Sequence, residues 1–223
     1  MANELLPAVE VAAKGEHKAT IIWLHGLGDS GNGFAPIAPE LGLADSLGVK
    51  FIFPHAPVRP VTINNGMQMR AWYDIKTLDM GSRADVEGVV ESSNSVQAII
   101  EAEIEAGIPA SKIMLIGFSQ GGVISLHLGT RFHQGLAGIV ALSTYMCEPE
   151  SLASQKHEAN LDTPILCCHG QQDEVVPPFL GQTAFTTLKN NGYKAVWKEY
   201  IMQHNVCLPE IKDIAKFINE HLA

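Results

Sequence analysis

The sequence predicts an α/β protein, with a mostly parallel central sheet and helices on both faces. Three observations carry this. Short, near-continuous runs of Val, Ile and Leu recur along the chain, as strands buried on both faces require. Longer stretches with apolar residues at helical spacing stand between them. The two kinds alternate, which is the pattern of strands joined by helical crossovers.

Taken in order, strands are expected near Ala19–Leu24, Val49–Phe53, Ile113–Ile116, Leu136–Leu142, Ile165–Cys168 and Ala195–Tyr200. Helices are expected near Phe34–Leu41, Asp85–Ala106, Gln120–Thr130, Phe179–Asn191 and Pro209–Leu222. In the second of these, Val86, Val90, Val96, Ile100 and Ile104 fall roughly on one face, as a sheet-covering helix needs. Ile211, Ile214, Ala215 and Ile218 do the same in the last helix. Residues 1–17 read as a short irregular N-terminus. One segment breaks the rhythm: 54–81 holds Pro54, Pro57 and Pro60 together with Met67, Met69, Trp72 and Tyr73. Long connections in compact domains tend to be binding loops or lids, and this one is read as lid-like.

A chain of 223 residues suits one domain over 1–223 with a large buried core. The formal net charge of −9 argues against nucleic acid or an anionic membrane as the main partner. The N-terminal stretch lacks the basic region and apolar core of a secretion signal, and no apolar run reaches spanning length, so a cytoplasmic protein without stable membrane insertion is expected. Monomer and homodimer are both compatible with the sequence. Cys147 and Cys207 are isolated, and the adjacent Cys167 and Cys168 point to opposite faces of a strand. Reduced, mostly buried thiols are therefore expected, with no metal site.

The stretch with most chemistry in it is Ile113 to Leu128. An apolar run leads into Gly117-Phe118-Ser119-Gln120-Gly121, and an apolar helix follows. A serine between two glycines at a strand-to-helix switch marks a nucleophile elbow, since side chains two residues either side of the serine would clash in so tight a turn. The helix start places backbone N–H groups beside any anion formed there.

A serine nucleophile needs a base, and the base needs an orienting acid. In α/β-hydrolases the chain order is Ser, then Asp or Glu, then His. The strand ending at Cys168 is followed by Gln171-Gln172-Asp173-Glu174, which makes Asp173 the expected acid and Glu174 its near alternative; Asp162 precedes the strand, at the wrong end of the sheet. Of the nine histidines only His169, His204 and His221 come late enough in the chain. His204 lies between the last strand and the last helix, so its loop reaches the same edge of the sheet as those of Ser119 and Asp173. The oxyanion needs two donors: the N–H of Gln120, and one from the glycine-rich loop after the first strand, His25-Gly26-Leu27-Gly28, with Leu27 N–H expected. His25 is read as fixing the shape of that loop.

With these residues assembled, HGLGDSGNGF, FPHAPVRPVTINNGMQMRAWYDI, GFSQGG, CHGQQDEVVP and the His204 loop resemble the acyl-protein thioesterase and carboxylesterase family of serine hydrolases, in order and over nearly the whole chain. The resemblance implies an α/β-hydrolase fold, nucleophile Ser119, acid Asp173, base His204, oxyanion donors at Leu27 and Gln120, and no cofactor. It also implies an acyl-chain groove lined by the Trp72 segment, Ile75, Leu78, Val176 and Phe179. Met67 and Met69 are added to that groove because apolar residues in 54–81 are denser than a solvated loop requires, and methionine adapts to chains of several lengths. The competing reading is that Trp72 and Tyr73 plug the edge of the sheet. The chain departs from the family pattern near the histidine, at Ile201 and Asn205.

The stretch 143–164 is too short for a large cap domain, so a shallow site is expected, one that admits an acylated protein or a lysophospholipid as substrate. Two alternatives share the fold: a serine peptidase, for which no feature anchors an extended peptide, and a non-catalytic binding protein, which would be expected to lack a triad member.

Overall fold

The computed structural model describes residues 5–77, 79 and 84–223. Its main sheet has seven strands: β1 (Ala8–Val11), β2 (Ala19–Leu24), β3 (Val49–Pro54), β6 (Ile113–Phe118), β7 (Gly138–Leu142), β8 (Ile165–Gly170) and β9 (Ala195–Tyr200), with β4 (Val58–Val61) and β5 (Met67–Arg70) forming a separate hairpin. The spatial order is β1-β3-β2-β6-β7-β8-β9. The six strands from β3 to β9 run parallel, and β1 pairs antiparallel with β3. Strand β1 corrects the expectation of an irregular 1–17. Its partner lies some forty residues away along the chain, and no local pattern reports such a pairing.

The pleat sorts the core. On β2 and β6, Ile22, Leu24, Ile113 and Leu115 face α3 (Val86–Glu105) and α4 (Gln120–Arg131), whereas Ile21, Trp23, Met114 and Ile116 turn to the other face, in a cluster with Ile37, Leu41 and the buried side of α7 (Leu208–Leu222). Helix α6 (Pro178–Asn190) closes a third cluster with Cys167 and Tyr193. Cys167 and Cys168 do turn to opposite faces, and burial pushes both thiols up, Cys167 to about 12.

Two helices differ from expectation. In place of one helix over 34–41 there are two single turns, α1 (Gly31–Phe34), which ends where that helix was expected to begin, and α2 (Ile37–Glu40), because Pro36 has no N–H to continue the first. On α3 the buried stripe is Val89, Val96, Ile99 and Ile100, and Val90 is exposed. Counting back seven residues from Val96, two helical turns, arrives at Val89. A further short helix, α5 (Leu152–Gln155), lies between β7 and β8. No described helix is long and apolar enough to cross a membrane.

Inside 54–81 the chain folds back as the β4–β5 hairpin. Asn65 and Gly66, both at positive φ, make the reversal. Pro60 is tolerated because a two-stranded ribbon consists only of edges. Beyond the hairpin, Trp72 and Tyr73 are fully buried in the α3/α4 core. Leu78 lies outside the described residues.

Candidate active site

Parallel strands deliver their following loops to one edge of the sheet, and three of those loops converge here. After β6 the chain turns into α4 through Ser119, whose φ of 53° lies in the left-handed region. The turn needs its glycines: a Cβ on Gly117 would run into the Gly121 carbonyl, and one on Gly121 into the Leu24 carbonyl. Ser119 N–H donates to Leu142 O at 2.9 Å, and Thr144 Oγ1 donates to Ser119 O at 2.6 Å. The backbone is held while the hydroxyl stays presented.

His204 Nε2 lies 3.0 Å from Ser119 Oγ, and His204 Nδ1 lies 2.7 Å from Asp173 Oδ2. A carboxylate accepts, so Nδ1 carries the proton and Nε2 is left to receive one from the serine. Asp173 Oδ1 accepts the N–H groups of Val175 and Val176 at 2.9 and 2.8 Å, an Asx turn that fixes the carboxylate. Burial alone would raise the Asp173 carboxyl; the hydrogen bonds from His204 and Val176 outweigh it and hold the group below the usual carboxylate range. Glu174, next in the chain, is exposed. The His204 ring packs on Phe118, with centroids 4.8 Å apart. Ile201 is 83% exposed, and the Asn205 side chain accepts Val206 N–H at 2.8 Å, so both departures from the family pattern are accommodated locally.

A fourth loop, after β2, carries Leu27. His25 staples it: Nδ1–H donates to Gly26 O at 2.7 Å, and Nε2 accepts Ala56 N–H at 3.0 Å. Burial keeps this ring's pKa below its ordinary value, in keeping with a neutral histidine that donates once and accepts once. Gly28, at a φ of 78°, donates to Arg70 O at 2.8 Å and ties the loop to β5. Gln120 N–H is the first of α4 and needs no acceptor within the helix.

A cavity of about 240 Å³ opens beside the serine, and Gly26, Leu27, Ser119, Gln120 and His204 are among its walls. Ile75, Tyr73, Tyr145, Val175 and Val176 supply its apolar lining. Of the residues expected in a groove, Ile75 and Val176 reach the cavity. Trp72 is buried behind the wall and donates its indole N–H to His25 O at 2.8 Å. Met69 packs over the Leu27 loop, where its sulfur accepts from Asn64 Nδ2 at 3.4 Å. Met67 and Phe179 face solvent, at 63% and 55% exposure. Phe118, Tyr145 and Val175, also in the wall, are not among the residues expected from the sequence. Tyr145 follows β7 at the same edge of the sheet, so the rule that located Asp173 and His204 could have found it. Among the described residues no group of His, Cys, Asp and Glu could hold a metal ion.

Comparison with known proteins agrees with this architecture. The model of the phospholipase/carboxylesterase family matches residues 7–222. The acyl-protein thioesterase 1 of Yarrowia lipolytica is 41% identical over 221 residues, covering 97% of each chain. The crystal structure of Zea mays acyl-protein thioesterase 2 superposes with a TM-score of 0.86 at 32% identity, covering 97% of this chain and 99% of that one. That of Arabidopsis thaliana SOBER1 gives 0.88 at 35% identity, covering 92% and 100%. The family model and these relatives match over nearly the whole chain, and the mostly parallel sheet with helices on both faces agrees with them; the chain belongs to the phospholipase/carboxylesterase family of α/β-hydrolases, enzymes that cleave carboxylic esters and thioesters.

Proposed function

We propose that this protein hydrolyses acyl esters and thioesters through Ser119, His204 and Asp173, with acylated proteins as its main substrate class. The observation that carries the reading is the unbroken hydrogen-bonded line from Ser119 Oγ to His204 at 3.0 Å and on to Asp173 at 2.7 Å, opening on an apolar-walled cavity. Ser119 Oγ attacks the acyl carbonyl as His204 Nε2 takes its proton. Asp173 stabilises the imidazolium, and the N–H groups of Leu27 and Gln120 hold the oxyanion. His204 returns the proton to the departing thiol or alcohol, leaving an acyl-serine. Water, deprotonated by the same histidine, then releases the acid and restores the hydroxyl.

Acylated protein is favoured as substrate by the names of the relatives, which are acyl-protein thioesterases, and by the lack of a large cap over the site. A lysophospholipid fits the same geometry. The reading includes a single domain over 1–223, a cytoplasmic location, and a monomer or homodimer with no cofactor.

The test is Ser119→Ala, assayed with p-nitrophenyl esters of increasing chain length and with an acyl-thioester, beside labelling by a fluorophosphonate probe. Losing a nucleophile costs several orders of magnitude in rate. Loss of turnover and labelling at unchanged thermal stability is expected; turnover within about tenfold of wild type would remove Ser119 from the chemistry.

A further inference from the structure

A histidine that takes no part in the proton transfers closes the turn that carries Asp173. His169 stands near the end of β8, four residues before Asp173, and is 1% exposed. Its Nε2 lies 2.8 Å from Val176 O. A carbonyl can only accept, so Nε2 bears the proton. Burial holds the ring's pKa below its ordinary value, which keeps it neutral where the enzyme would work. The same Nε2 lies 3.6 Å from Asp173 Oδ2, the oxygen that accepts from His204. Stacking on Trp197, with centroids 5.7 Å apart and planes 24° from parallel, prevents the ring from swinging.

Val176 is therefore gripped at both ends of its backbone. Its N–H donates to Asp173 Oδ1, and its C=O accepts from His169. Without the second bond, the far end of the turn 173–176 would lose its tie to β8, leaving Asp173 N–H on Gly170 O at 3.3 Å to hold the near end, and Asp173 Oδ2 would lose its fixed approach to His204. His169 does not line the cavity and touches no reacting atom.

We propose that His169 is a positioning residue for Asp173: through the Val176 carbonyl it locks the turn that presents Asp173 Oδ2 to His204. This rests on the triad reading above, with Asp173 as its acid member.

Two variants of similar polarity and different reach test it. In His169→Gln the side-chain amide can place a donor near the Nε2 position, whereas in His169→Asn it falls short of Val176 O. His169→Gln is expected to keep kcat within about threefold of wild type. His169→Asn is expected to lower kcat by about tenfold or more, with KM for a short ester nearly unchanged, since misplacing a catalytic group by about 1 Å can cost a hundredfold. Equal kcat in the two variants, or losses confined to KM and melting temperature, would overturn the proposal. A measurement on the unmodified protein applies even if a variant fails to fold: the nitrogen chemical shifts of His169 should identify an Nε2–H neutral ring at pH 7, and an Nδ1–H ring or an imidazolium would sink the idea. An active Ser119→Ala would fault the triad itself. An inactive Ser119→Ala with equivalent His169 variants would fault this inference alone.

Discussion

Trp72 N–H donates to Gln120 Oε1 at 3.0 Å, so the residue after the nucleophile is bolted to the chain that walls the cavity. Gln120 Nε2 completes the clasp by donating to Tyr73 O at 2.8 Å. Trp72 is tied further, its carbonyl accepting from Ser92 Oγ on α3 and its indole donating to the loop that carries Leu27. Four parts of the fold thus meet at one buried residue, Trp72.

Gln120→Ala should separate the two roles of that residue. The backbone N–H proposed to face the oxyanion survives, but the hydrogen bonds from Trp72 N–H and to Tyr73 C=O are lost. Leaving the buried Trp72 N–H without this acceptor costs about 1–3 kcal/mol. A clear fall in melting temperature is expected, with a smaller loss of kcat than in Ser119→Ala. Unchanged stability would mean that the side chain is idle.

Asp173→Asn should be far more damaging than Glu174→Gln. Only Asp173 sets the tautomer of His204 and stabilises its charged ring, and the corresponding loss in triad enzymes is about four orders of magnitude. Glu174 is exposed and its neutral replacement should turn over like wild type. Equal losses in kcat, measured on one ester, would move the acid elsewhere.

Chain-length selectivity should follow Ile75 rather than Met67. Ile75 is buried in the cavity wall, and Met67 stands 63% exposed on the hairpin. Each methylene buried by a substrate is worth about 0.8 kcal/mol. Ile75→Ala should therefore lower kcat/KM for octanoyl esters more than for acetyl esters, while Met67→Ser leaves the ratio unchanged. A ratio that moves with Met67 would place the acyl chain along the hairpin.

Glu210 should make the fold lose stability as pH rises. It is fully buried in the first turn of α7, where burial pushes its carboxyl up to about 8 against the opposing Cys207 N–H. A folded-state pKa above the unfolded one gives stability that is complete below the unfolded value, near 4.3, and is lost as pH climbs toward the folded value. Each unit in that window costs about 1.4 kcal/mol. Glu210→Gln cannot ionise, so its melting temperature relative to wild type should improve between pH 5 and pH 8. A constant difference across that range would show that Glu210 does not titrate there.

The meeting of Ser119, His204 and Asp173 at one edge of the sheet was legible because it follows from chain order and one topological rule. Once the strands are parallel, the loops after β6, β8 and β9 must emerge at the same edge, and those loops carry Ser119, Asp173 with its near alternative Glu174, and His204. The tight turn at Ser119 was equally readable, since it depends on glycines within two residues of the serine. What could not be read were relations whose partners are distant along the chain or whose outcome depends on side-chain direction. Strand β1 exists only because β3 offers an edge. The hairpin keeps Pro60 because its strands have no further neighbours, and Val89 rather than Val90 is buried because the sheet sets the rotation of α3. The acyl wall was the least legible part: Met67, Met69, Trp72, Ile75, Val176 and Phe179 are all apolar, and Ile75 and Val176 are the ones that reach the cavity. Composition made each a candidate. Only the packed fold, by turning Trp72 inward and Phe179 and Met67 outward, decided where each side chain ends.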